Sequence, residues 1–255
     1  MNTLAVSAIL VCLNNPGDVK MTLESLQELI GENIEVLIID SSSDDVIRNT
    51  VNSYGYKNVS YFHMEPSGIY SAMNLGAKLC TLGNYIWFLN PGDSLPNSED
   101  FRSLFRGGME ANSPWIYGQA NVIHGVSTQS FPKITDDHTL NALCRGSLRI
   151  SHQAMLVRTD VFDGLSGFDM RYKICSDLDF QIRLFKSHPG YFQEVVVARI
   201  DPNGVSHQKI LTTYFETFLI RARSGDMNWI KAAFITATKL GLLISKKVRR
   251  FIYEF

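Results

Sequence analysis

The sequence predicts an α/β domain built on a mostly parallel sheet, and three observations carry that expectation. Strand-like and helix-like segments alternate from Leu4 to Leu89. The strand-like runs are almost continuously apolar, as strands covered on both faces are. The 255 residues are 45% hydrophobic and 19% charged, with a mean hydropathy of -0.02, which suits a large soluble core and excludes both a disordered polar chain and a multi-span membrane protein.

Leu4 to Leu13 reads as the first buried strand. Pro16-Gly17 breaks it, and Asp18 is expected to cap a helix whose Val19, Leu23, Leu26 and Ile30 share one face, with Gly31 as its stop. Ile34 to Ile39 is the second strand, Ser41-Ser42-Ser43 a polar turn, and Asp44 to Ser53 a second helix ending near Gly55. Val59 to His63 is a third strand, Ile69 to Cys80 a helix, and Tyr85 to Leu89 a fourth strand running into Asn90-Pro91-Gly92-Asp93. That order predicts helices on both faces of the sheet, joined by right-handed crossovers. Further on, Trp115 to Gly118 and Gln119 to His124 read as two short strands, Asp177 to Ser187 as a helix and Tyr191 to Ala198 as a strand. From His207 to Phe255 the chain is expected to be mostly helical.

Several function classes are disfavoured. Cys12, Cys80, Cys144 and Cys175 lie far apart with no CxxC pair, which argues against a disulfide framework or a structural zinc site and for reduced thiols in the cytosol. No basic residue precedes the first apolar run, so it reads as a strand and not as a secretory signal. The net charge of -1 divides unevenly: residues 221–255 hold eight Lys or Arg against Asp226 and Glu254, a sum of +6, leaving -7 for residues 1–220. An acidic body disfavours nucleic acid as a partner, while the basic tail fits an anionic one such as a membrane surface. No G-x-G-x-x-G follows the first strand, and G-x-x-x-x-G-K-[ST] and G-x-S-x-G are absent, so neither a dehydrogenase, a P-loop kinase nor an α/β-hydrolase is supported.

Ligands of open α/β sheets bind outside the carboxyl ends of the strands. Asp40, at the end of strand two, and Asp93, four residues past strand four, are therefore the first candidates. Each has a plainer reading, Asp40 as a turn residue before the three serines and Asp93 as the cap of the next helix.

Taken in order, Leu13-Asn14-Asn15, Ile38-Ile39-Asp40-Ser41-Ser42-Ser43, Glu65-Pro66-Ser67-Gly68-Ile69-Tyr70-Ser71-Ala72-Met73-Asn74-Leu75-Gly76 and Phe88-Leu89-Asn90-Pro91-Gly92-Asp93 resemble the consecutive motifs of family 2 glycosyltransferases. Ser151-His152-Gln153, Gly167-Phe168-Asp169 and Ser176-Asp177-Leu178-Asp179 resemble that family's acceptor-side region. The likeness covers about residues 4–206 and is nearest to enzymes of bacterial surface polysaccharide assembly, of the colanic acid, O-antigen and capsule type. It implies a GT-A fold, a nucleotide-diphosphate-sugar donor with UDP mildly favoured, a Mg²⁺ or Mn²⁺ ion, a polysaccharide or lipid-linked oligosaccharide acceptor, and inversion at the anomeric carbon.

The same resemblance implies roles for individual residues. Asp93 is the metal candidate in a motif where Asn90 and Gly92 stand in place of an earlier carboxylate, so one strong ligand remains and the diphosphate would complete the shell. Leu13, Asn14, Asp40, Gly68, Asn74 and Asn90 form the donor-binding set; Gly68 lets backbone approach the nucleotide, and Asn74 offers a donor and an acceptor or simply faces solvent. Met73 stands where relatives often carry Arg, so other groups must meet the diphosphate. Asp177 is the candidate general base, with a helix-end charge as its plainer reading and Ser176 in place of a usual Glu. His152 and Asp179 are supporting acceptor-side residues, and His207 is a metal candidate or a surface histidine.

Residues 1–206 are thus expected to form the catalytic domain, with a nucleotide-sugar half to about residue 95 and an acceptor half over 96–206. Residues 207–255 form a helical tail. Within it Ile230, Phe234, Ala237, Gly241, Ile244, Val248, Phe251 and Phe255 make one apolar stripe, opposed by Lys231, Lys239, Lys246, Arg249 and Arg250. That pattern suits a helix lying in the cytoplasmic face of the cell membrane or one packed on the domain or a partner subunit. Two rivals remain. A sugar nucleotidyltransferase would show a Gly-rich cationic loop, which Leu13 to Asp18 lacks, and a non-catalytic sugar-nucleotide-binding scaffold fits the altered metal motif and Ser176.

Overall fold

The computed structural model describes residues 5–30, 32, 34–81, 84–124, 127–200, 209–225, 228–238 and 241. The strands among them are β1 (Val6–Cys12), β2 (Ile34–Asp40), β3 (Val59–His63), β4 (Tyr85–Leu89), β5 (Trp115–His124), β6 (Ser127–Phe131), β7 (Met155–Arg158) and β8 (Gly190–Ile200). The helices are α1 (Pro16–Ile30), α2 (Val46–Tyr54), α3 (Ile69–Leu79), α4 (Ser98–Glu110), α5 (Leu140–Arg145), α6 (Thr159–Gly164), α7 (Ser176–Ser187) and α8 (Ile210–Arg223). A 3-10 turn spans His152–Ala154 and a further helix covers residues 229–238.

All eight strands join one sheet in the order β3-β2-β1-β4-β7-β5-β6, with β8 on the other edge of β5. The first four are mutually parallel, as the alternating pattern predicts. The four-residue β7 then runs antiparallel to both β4 and β5. Alternation along each central strand divides the core. Ala8, Leu10, Val36, Ile38 and Trp87 meet α1, α2 and α4 on one face, while Ile9, Leu37, Ile39, Ile86 and Phe88 meet α3, α6 and α7 on the other. Cys12 pairs with Asp40 in the β1–β2 register, so both strands end at the same edge.

Three local expectations are corrected. Residues 115–124 form one strand, because Gly118 marks a shift of register against β8 and not a break. Helix α1 begins at Pro16, whose fixed φ and missing N–H suit a first helical position, so Asp18 sits inside the first turn instead of capping it. The cap of α4 is Asn97, whose Oδ1 accepts from Glu99 N at 2.8 Å and Asp100 N at 3.3 Å, which leaves Asp93 without a capping role.

Candidate active site

Asp40 is fully buried where β2 ends. Its Oδ1 accepts from Ser42 N at 2.9 Å and Ser42 Oγ at 2.6 Å, and its Oδ2 from Tyr61 Oη at 2.8 Å. Ser42 Oγ in turn accepts from Asn14 N at 2.8 Å, so one serine ties the Leu13-Asn14 loop to the Asp40 turn. Asn14 holds a φ of 55°, which Asn tolerates better than most residues, and Leu13 is exposed. Burial and the Asp40 carboxylate push the Tyr61 hydroxyl up to about 12, so it remains a donor. Gly68, with φ 99°, precedes α3; a Cβ there would meet no atom within 4 Å, so the backbone conformation alone demands glycine and leaves its surroundings open.

Asp93 is 2% exposed and its backbone is fixed from α1: Thr22 Oγ1 donates to its carbonyl at 2.7 Å and accepts from Gly92 N at 3.0 Å. Its Oδ2 accepts from Gln153 Nε2 at 2.9 Å. Gln153 is itself held, by Ser151 Oγ at its side-chain oxygen and by Trp87 Nε1 at its carbonyl, 2.7 Å away. In the same tight turn, where Asp93 N donates to Asn90 O at 3.0 Å, Asn90 Oδ1 is buried with no partner among the described residues. An unpartnered amide oxygen in the same turn as a buried carboxylate is hard-donor chemistry of the kind Mg²⁺ or Mn²⁺ takes. No group of three or more His, Cys, Asp or Glu side chains among the described residues is arranged to hold a metal, so these two donors alone would leave most of a cation's shell to other groups.

Asp177 lies in the first turn of α7. Its Oδ2 is 3.3 Å from His152 Nδ1 and its Oδ1 3.1 Å from Tyr70 Oη, with its side chain 29% exposed and that of His152 14%. Tyr70 also donates to Ile174 O at 2.6 Å. Burial, then the nearby Asp177 charge, raises the Tyr70 hydroxyl well above its ordinary range, so it serves as a donor and not as a base. His152 Nε2 and Ser176 Oγ are buried without partners among the described residues.

Asp93 and Asp177 are therefore connected through two consecutive residues, Gln153 and His152. Other candidates stand apart. Asn74 uses its amide on backbone, donating to Phe168 O at 2.8 Å and accepting from Phe168 N at 2.9 Å, and is half-buried. The adjoining Gly167, at φ 60°, brings its backbone so near that a Cβ would lie 2.7 Å from Asn74 Oδ1. Asp179 pairs with Arg183 at 2.8 Å, whose Nη2 reaches Gly167 O at 2.8 Å, and it brackets α7 against that turn. His207 lies outside the described residues. Sequence reasoning passed over Gln153, Tyr70, Ser42 and Tyr61: the first three lie inside the quoted motifs, but nothing local shows which atoms they meet.

The family model for glycosyl transferase family 2 matches residues 7–145, more than half of the chain. The chain belongs to that family. As a family 2 glycosyltransferase it is 25% identical over 229 residues to a "PGL/p-HBAD biosynthesis glycosyltransferase" of Mycobacterium bovis, and equally to its Mycobacterium tuberculosis counterpart, covering 86% of this chain and 86% of each relative. Among solved structures, S. aureus TarS 1-349 in complex with UDP superposes with a TM-score of 0.65 at 16% identity, over 93% of this chain and 71% of that one. The mannosyltransferase PcManGT from Pyrobaculum calidifontis, in complex with GDP-Man and Mn²⁺, gives 0.63 at 13% identity, over 99% and 82%. These likenesses give this glycosyltransferase a GT-A fold.

Proposed function

We propose that this glycosyltransferase moves a hexose-type sugar from a nucleotide-diphosphate donor, with UDP favoured, to a lipid-linked or polysaccharide acceptor of surface polysaccharide assembly, with inversion. The observation that carries the reading is the linkage of Asp93 to Asp177 through Gln153 and His152, because transfer needs one carboxylate at the leaving diphosphate and another at the attacking hydroxyl. The naming of a mycobacterial relative after PGL/p-HBAD biosynthesis, and the UDP in the TarS complex, support the substrate class.

Asp177 takes the acceptor's hydroxyl proton as that oxygen bonds to the anomeric carbon and the bond to the diphosphate breaks on the opposite face. Tyr70 and His152 lie within reach of that carboxylate, and Asp40 with the Leu13-Asn14 loop receives the nucleoside. Asp93 and Asn90 would hold Mg²⁺ or Mn²⁺, which when bound neutralises charge on the departing diphosphate.

Membrane attachment belongs to the same reading. Helix 229–238 packs inward through Ala232 and Ile235 and leaves Trp229, Ile230 and Phe234 exposed, Phe234 at 70%. Leu211 and Phe215 of α8 are exposed as well. No helix of the described residues is long and apolar enough to cross a membrane. Apolar side chains together with the basic tail suit an interfacial helix on an anionic leaflet, although Ile244 onward lies outside the described residues. A panel of UDP-, GDP- and dTDP-sugars screened by thermal shift with Mn²⁺, followed by release of the nucleotide from each ligand that binds, tests the donor assignment. Stabilisation by a sugar nucleotide with neither hydrolysis nor transfer would favour the non-catalytic scaffold, and no stabilisation by any would remove the donor reading.

A further inference from the structure

Helix α8 stands at the start of the tail, yet one of its side chains reaches the loop that leads into Asp177's helix, α7. Glu216 is buried, and its carboxylate accepts three consecutive backbone N–H groups: Lys173 N at 2.7 Å on Oε1, and Ile174 N and Cys175 N, each at 2.9 Å, on Oε2. The Cys175 thiol adds a contact to Thr213 O at 3.6 Å, one turn earlier on the same helix. Asp177 follows two residues later. From the other side, Tyr70 donates to Ile174 O and lies within reach of Asp177 itself. The segment 173–175 is thus gripped at its N–H groups by α8 and at a carbonyl by α3.

A carboxylate converging on successive amides makes charge-assisted bonds, stronger than neutral ones, and a buried amide left without its acceptor is destabilised. Asp177's own side-chain contacts are long, at 3.1 and 3.3 Å, so they orient the carboxylate weakly and the backbone beneath must set its place. We infer that Glu216 is a positioning residue for Asp177, and that α8 is in consequence part of the catalytic apparatus. This rests on the reading of Asp177 as the base.

The test compares wild type, Glu216→Gln, Asp177→Asn and the double variant in the full chain. Gln keeps the shape but offers one acceptor oxygen and turns an NH₂ toward donors. Amide hydrogen exchange at 173–175 should quicken at least tenfold in Glu216→Gln while β1 amides stay protected, and the Asp177 carboxyl signal in a ¹³C pH titration should move its midpoint. With any UDP- or GDP-sugar that wild type hydrolyses in the presence of Mn²⁺, kcat should fall about tenfold or more with KM for the donor unchanged. In the Asp177→Asn background Glu216→Gln should add nothing, since residues acting through one group are non-additive. Faster loop exchange with an unmoved Asp177 midpoint, or additive losses in the double variant, would overturn the proposal. Turnover surviving Asp177→Asn would instead defeat the base reading and leave the titration result standing, so the two failures are told apart.

Discussion

Gln153 donates from Nε2 to Asp93 Oδ2 at 2.9 Å, a bond between side chains sixty residues apart in sequence. It fixes one oxygen of a nearly buried carboxylate from a residue beyond β5. Replacing Gln153 by Leu should therefore weaken Mn²⁺-dependent UDP binding about 10–100-fold, the usual loss when a residue orienting a metal ligand is removed, with the fold retained. Calorimetry of UDP with and without Mn²⁺ measures it; equal affinities for variant and wild type would show that the bond does not orient the carboxylate for metal.

Asp93→Ala should abolish transfer and remove the Mn²⁺-dependent part of UDP affinity, while circular dichroism remains that of the wild type. Asn90→Ala removes the unpartnered amide oxygen and should produce a smaller loss in the same assay. Unchanged affinity and activity in Asp93→Ala would end the assignment.

Asp177→Asn keeps the size and most hydrogen bonding of the side chain but cannot take the proton. Turnover should drop by roughly 10²–10⁴-fold with donor affinity nearly constant. Tyr70→Phe removes a donor from Ile174 O and from the vicinity of Asp177, and should lower kcat by a smaller factor than Asp177→Asn.

One buried and one half-buried thiol predict alkaline lability. Burial is the main cause raising Cys175 to about 12 and Cys80 to about 11 from an ordinary 9.0. The folded state holds these protons more tightly than the unfolded chain, so their contribution is complete below about pH 9 and is lost as pH rises through 11 and 12. Denaturant midpoints should fall between pH 8.5 and about 11, and modification by a thiol reagent at pH 7.5 should be slow until the protein unfolds. A midpoint flat across that interval would contradict it.

Sedimentation with vesicles containing anionic lipid should capture the full chain at low salt, weaken at high salt and disappear on deleting residues 227–255. Replacing Trp229, Ile230 and Phe234 together by Ser should reduce capture without altering donor binding. A full chain that remains in the supernatant at low salt would exclude membrane attachment by the tail.

The first half of the fold was legible because each strand from β1 to β4, apart from β3, is an apolar run and each helix between them shows one apolar face. The second half was less so. β6, Ser127–Phe131, is mostly exposed and polar, and β7 has four residues, too few for a period to show. Asp93 was singled out by its place past a strand end, and His152 and Asp177 through the motifs that they lie in. What Asn74 and Glu216 do was not legible, since their partners, Phe168 and residues 173–175, are ninety-four and about forty positions away and are met through backbone atoms that carry no residue identity.

The bonds that Trp87, Asn74, Tyr70 and Tyr85 make across the two halves go to backbone atoms of Gln153, Phe168, Ile174 and Ser113. A main-chain carbonyl persists whatever side chain its residue bears. Residues 96–200 can therefore diverge in amino-acid identity at such points while these bonds to residues 5–95 survive, which separates change of sequence there from the upkeep of the fold. Gln153 is the exception among the four, because its side chain also serves Asp93. A library meant to change acceptor specificity should leave Gln153, Gly167 and Asp177 fixed.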